Sequence, residues 1–96
     1  MNVRIPPIKD IKNAIIIYYT KPEIDNKDIS ELFGADFSMG KLSRMRALVR
    51  QQMKEEQTPF FNANAVNTDV AYRVWGFPIE ELEARYNKLK KLKLID

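Results

Sequence analysis

Apolar residues recur at helical spacing along most of this chain. Ile8, Ile11, Ile15 and Tyr18 follow Pro6-Pro7 at intervals of three, four and three. They therefore share one helix face, and proline is tolerated in a first turn. This predicts a first helix over residues 8–19. The run Ile15-Ile16-Ile17-Tyr18-Tyr19 also suits a short strand, and spacing alone leaves both readings open. Pro22 closes the segment, because the residue before a proline avoids the α region.

Asp25 or Asn26 then offers an N-cap for a short second helix holding Ile29, Leu32 and Phe33. Gly34 ends it, where a left-handed residue is wanted. Ala35-Asp36-Phe37 makes the turn, and Ser38 caps a long third helix running to about Glu56. Residues 58–66 have no helical stripe and contain two asparagines, so they read as a loop or a short extended segment. Thr68 caps a fourth helix through Trp75, stopped by Gly76. Pro78 opens a fifth, with the stripe Ile79, Leu82, Tyr86, Leu89 and Leu92. The expectation is an all-α fold, one small five-helix domain over residues 1–96. Within it a helix-turn-helix occupies about residues 25–56 and a C-terminal helical pair about residues 68–94.

Charge changes this picture because it is unevenly spread. The net value is only +3, but residues 37–54 carry Lys41, Arg44, Arg46, Arg50 and Lys54 and no acid. Residues 55–83 hold six acids against Arg73 alone. Residues 84–96 turn basic again, with Arg85, Lys88, Lys90, Lys91 and Lys93 against Asp96.

The third helix divides its faces sharply. At about 100° per residue, Leu42, Met45, Leu48, Val49 and Met53 fall within an arc of roughly 140°. Ser43, Arg44, Arg46, Arg50, Gln51 and Lys54 fall opposite, while Lys41 and Gln52 project into the apolar arc. Solvated helix faces usually mix signs and place Glu four residues before Lys or Arg. Here Arg46 and Arg50, and again Arg50 and Lys54, stand four apart with like charge, at a cost of a few tenths (~0.3) of a kcal/mol per pair. An anionic partner would relieve that repulsion. Arginine reads guanine bidentately, glutamine can read adenine, and any cation can take a phosphate. The candidate DNA-binding residues are therefore Lys41, Ser43, Arg44, Arg46, Arg50, Gln51 and Lys54, with Arg46 and Arg50 expected to be exposed. The competing reading is a protein-interaction or assembly module whose basic face meets an acidic protein.

The segment Asn26-Lys27-Asp28-Ile29-Ser30-Glu31-Leu32-Phe33-Gly34 looks like the first helix and turn of a helix-turn-helix. Ser30, a small residue, stands four before Gly34, where such motifs bring their two helices close. Over residues 26–56 the chain resembles the small helix-turn-helix DNA-binding proteins of bacterial phage and mobile-element regulators. Leu42 and Met45 come about two residues later than in the tightest versions, which asks for a longer turn. The resemblance implies sequence-specific binding of double-stranded DNA by the third helix, in transcriptional or mobile-element regulation.

Other features refine the expectation. Glutamates open the last helix and lysines close it, which suits the macrodipole, though the lysines also offer a phosphate-contacting patch. The stripe of the last helix packs on the domain's own core or forms a homodimer seam. Residues 68–89 could form a second helix-turn-helix, but its second helix opens on Glu80, Glu81 and Glu83, which suit phosphate badly. Phe60, Phe61, Trp75 and Phe77 are either a stacking surface for single strands or core beneath a loop. The chain has no cysteine and no histidine, which excludes thiol catalysis, His-based triads and Cys/His zinc sites. Glu55/Glu56 and Glu80/Glu81 diverge by about 100° on a helix, so neither pair converges on a substrate. No enzyme activity, metal, cofactor or small-molecule ligand is expected. The longest apolar run, residues 14–19, is far short of the ~20 residues a membrane span needs. Residues 1–7 lack a signal-peptide pattern and offer Arg4 as their one cation, so the expected location is cytoplasmic.

Overall fold

The computed structural model describes residues 4–94. Its elements are α1 (Ile11–Thr20), β1 (Glu23–Ile24), α2 (Asn26–Phe33), α3 (Met39–Glu56), β2 (Val66–Asn67), α4 (Thr68–Trp75) and α5 (Ile79–Lys91). The fold is all-α with five helices, joined by one small antiparallel sheet in which Glu23 faces Asn67 and Ile24 faces Val66. Two-residue strands have no periodicity to read, and this sheet is not apparent in the apolar pattern. Residues 1–3 of the N-terminal segment, and Asp96, lie outside the described residues.

Helix starts follow side-chain chemistry. Asp10, not the proline pair, opens α1: its carboxylate accepts from the Lys12 N–H at 3.0 Å. The helix thus begins three residues later than expected, and Pro6-Pro7 lie before it. The isoleucine run is helical throughout, with Ala14 and Ile17 buried. Asp25 caps α2 in a reciprocal box, its carboxylate taking the Asp28 N–H at 3.0 Å while Asp28 takes the Asp25 N–H at 3.1 Å. Ser38 caps α3 through the Lys41 N–H at 3.1 Å. Asn67, rather than Thr68, caps α4, accepting from the Val70 N–H at 3.0 Å. Thr68 is already helical, and its buried hydroxyl donates instead to the Lys21 carbonyl. Pro78 is the residue before α5, at the cap position.

One cluster of buried side chains draws on every helix, including Ile29, Leu32, Met45, Val49, Tyr72 and Leu82. Phe33 is a hub of its aromatic part, with ring centroids 5.7 Å from Trp75, 5.8 Å from Phe37 and 5.9 Å from Phe77, all edge-on. Helix α3 lies chiefly against α4 and β2, and α1 against α5. Along α5, Ile79 and Leu82 are buried, Tyr86 and Leu89 half-buried, and Leu92 just past its end exposed.

Gly34 closes α2 at φ +64°, and its N–H and that of Ala35 return to the Glu31 and Ser30 carbonyls. A Cβ at Gly34 would also collide with the Lys9 side chain. Gly34→Val should therefore lower unfolding free energy by about 1 kcal/mol or more, as read by urea denaturation. A change near zero would contradict this account of the turn.

Candidate nucleic-acid interface

The turn between α2 and α3 spans residues 34–38, longer than the usual three or four. Leu42 and Met45 are buried, but α3 packs chiefly on α4 and β2 and not on α2, so the close α2–α3 pairing that the resemblance implies is not formed. Ser30 lines an open surface cleft with Lys9, Glu31 and residues 34–36, so its small size serves the approach of the N-terminal segment.

Helix α3 buries Leu42, Met45, Val49 and Met53, the arc expected from their spacing, with Leu48 half-buried at its edge. Met39, Gly40, Ser43, Arg44, Ala47, Gln51 and Lys54 form its exposed side, which ends on the exposed acids Glu55 and Glu56. Gly40, Ser43 and Ala47 are small and keep the middle of that surface low. Arg44, Gln51 and Lys54 rise from it with side-chain donors that have no partner among the described residues. Lys41 is half-buried, its ammonium 5.2 Å from the centre of the Phe37 ring.

Arg46 and Arg50 do not project freely, as the helical wheel alone suggests. Both are half-buried, at the border between the exposed side and the core. The Nε of Arg46 is buried with no hydrogen-bond partner among the described residues. Arg50 donates to the Ala65 carbonyl at 2.9 Å and to the Ala63 carbonyl, and its guanidinium stands 5.4 Å from the Phe60 ring centre. It fastens the loop of residues 57–65 onto α3, so Arg50→Ala would release that loop as well as remove a charge. The spacing put Arg50 on the right side of the helix; the carbonyls that occupy it come from residues thirteen and fifteen positions later.

None of the five cations of α3 belongs to an ion pair among the described residues. The ion pairs use other cations. Arg73 of α4 grips Glu56, at the end of α3, through two hydrogen bonds of 2.8 Å, and reaches Asp69 at 3.1 Å. Asp69 in turn accepts from the Tyr18 hydroxyl at 2.8 Å, so α1, α4 and α3 are linked through one charged chain. Burial, with the Asp69 carboxylate beside it, pushes the Tyr18 hydroxyl up to about 12. Lys21 pairs with the largely buried Asp28, which holds the lysine above its ordinary range. The lone cation of the acidic block thus neutralises its neighbours, whereas the basic block is left without counter-charge.

The four aromatic side chains separate into two pairs. Trp75 and Phe77 are core, Trp75 donating its ring N–H to the Met45 carbonyl at 3.3 Å. Phe60 and Phe61 are on the surface. No group of three or more acidic or other ligating side chains is placed to hold a metal ion among the described residues, and none of their helices is long and apolar enough to cross a membrane.

No protein-family model, curated protein or solved structure matches this chain.

The Arg73 guanidinium, helped by Gln52, holds the Glu56 carboxyl down from its ordinary 4.5 to about 2. A lowered carboxyl stabilises the fold above its unfolded value and loses that contribution as pH falls through the folded one. Between pH 4.5 and about 2 the wild-type chain should therefore lose stability more steeply than Glu56→Gln. Urea midpoints at stepped pH check this, and parallel curves would refute it. Glu56 is exposed, so the effect is modest.

Proposed function

We propose that the chain binds double-stranded DNA through the exposed side of α3, as a sequence-specific regulator. The observation that carries this is the uncompensated charge of that helix: five cations without an ion pair among the described residues, around a low surface of small side chains. Arg50 is kept by the loop carbonyls that it holds, but folding alone gives no reason for Arg44 and Lys54 to stand without an ion pair while acids nearby pair with Arg73. A polyanion does. An α-helix fits the major groove, where Arg44 can take guanine or phosphate, Gln51 can take adenine, and Lys54 a phosphate. Ser43 adds a short hydroxyl donor. Arg46, Arg50 and Lys41, set lower at the borders, contribute field more than direct contact. The resemblance over residues 26–56 supports the same reading and adds phage or mobile-element regulation as its setting.

A single such unit reads only a few base pairs, so useful affinity calls for two half-sites or added arms. A second copy docked on α5 supplies this. Leu92 and Leu94, just beyond α5, are 57% and 66% exposed, and a groove beside them is lined by Arg85, Lys88, Leu89 and Leu92. Glu80 and Glu81 open the helix while Lys88, Lys90 and Lys91 close it. Two antiparallel copies would set each acidic start against the other's basic end, in an isologous contact.

Arg44→Ala and Lys54→Ala should each weaken duplex binding and reduce the slope of log affinity against log salt by about 0.9 for each phosphate no longer neutralised. Mobility shifts over a salt series read this, and absence of any shift at low salt would favour the acidic-protein partner instead. Sedimentation of the DNA complex should give two protein chains per site, and Leu92→Lys with Leu94→Lys should reduce this to one. A tight one-to-one complex of wild-type chain on an asymmetric site would overturn the dimer.

A further inference from the structure

The loop of residues 57–65 shows its aromatic side chains to solvent although it is firmly held. Phe61 is 88% exposed and Phe60 55%, in a chain that buries Phe33 and Phe77. Looseness does not account for this. The Thr58 N–H reaches the Met53 carbonyl at 2.8 Å, and the Ala65 N–H the Asn62 carbonyl at 3.1 Å. The Asn64 N–H binds the Asn62 side chain at 2.8 Å, the Phe61 N–H binds the Glu23 carboxylate at 2.8 Å, and Arg50 holds the Ala63 and Ala65 carbonyls. The backbone is fixed at both ends and in the middle, and what it fixes is the outward placement of two phenyl rings.

We propose that Phe61, on the loop that Arg50 holds to α3, is an apolar wedge that enters a base step of duplex DNA beside the site contacted by α3. This rests on the DNA-binding reading and adds a second contact to it. Arg50 belongs to both parts, since it lies on α3 and stands against Phe60, so the loop adjoins the basic side of the helix. Lys54 follows one turn later, and its exposed ammonium has no ion-pair partner among the described residues. These cations suit the phosphates that flank an opened step. On its other side the loop meets acids: the Glu23 carboxylate accepts from the Phe61 N–H, and Asn62 lines an open cleft with Glu23, Asp25 and Asp28, of which Asp28 is paired with Lys21.

The neighbours of the rings distinguish this occupant from a protein. Within the loop Gln57, Asn62 and Asn64 are polar and exposed, and Pro59 and Ala63 are its other exposed apolar residues, so the apolar surface around the two phenyls is small. A protein interface needs a broader apolar centre than that. An inserted side chain needs one projecting apolar group with hydrogen-bonding groups around it, and it kinks the duplex by roughly 20–90°.

The test uses a duplex selected from a random pool by the full wild-type chain, carrying the fluorescent adenine analogue 2-aminopurine at successive positions. Wild type should brighten the probe at one step next to the protected site and shorten the end-to-end distance read by energy transfer. Phe61→Ala should abolish both signals and weaken binding about tenfold, while its melting temperature stays at the wild-type value because the ring is exposed. Phe61→Leu should retain the unstacking. Wild-type binding with no brightened step, or equal affinity and bend for Phe61→Ala, would overturn the wedge and leave the α3 contact standing. Failure of the wild-type chain to select any duplex would overturn the DNA-binding reading itself.

Discussion

Tyr72 has no exposed surface, and its hydroxyl donates to the Ala14 carbonyl inside α1 at 2.6 Å. Burial drives its ionisation far above the ordinary range, with the Asp28 charge adding to the effect, so the group stays a neutral donor. A buried hydroxyl left without a partner is costly, and this one is satisfied only when α1 and α4 meet in a single register. The same short helix carries two further anchors. Trp75 reaches the Met45 carbonyl on α3, and Thr68 reaches the Lys21 carbonyl before β1. Apolar contact alone would let these helices slide. The three polar tips of α4 set where α1, α3 and the sheet must stop.

The orientation of α3 follows from that arrangement. Its apolar arc is turned onto α4 and β2, and Glu56 at its end is held by Arg73 of α4. The cations are left on the far side as a consequence of packing, with Arg46 and Arg50 at the border. Charge on this helix is thus displayed by a packed support, which suits the contact with a duplex proposed for it.

Much of the fold was legible in the sequence. Helical spacing gave the five helices, and Gly34 and Gly76 marked two of their ends through positive φ. The start of α1 was misplaced because two prolines signal a first turn more loudly than Asp10 signals a cap. The sheet was not legible, since the pairing of Ile24 with Val66 joins residues far apart in the chain. The candidate site was legible in composition and face, through Arg44, Gln51, Lys54 and Ser43. The second duty of Arg50 was hidden for the same reason as the sheet: its partners are backbone carbonyls, and any residue type carries those. Phe60 and Phe61 could be noted but not placed, because an aromatic pair reads alike in a core and on a surface.

The β1–β2 pairing also determines how little of this protein could stand alone. It joins the residues just before α2 to those just before α4, like a clasp closed around α2, α3 and the loop. Closing so long a segment has an entropic cost that two paired residues cannot offset by themselves, and the buried face of α4 must supply the rest. A minimal fragment cut at Glu56 would keep every basic residue of α3 yet lose both the clasp and the surface that orients the helix. The peptide would carry the charges without their geometry.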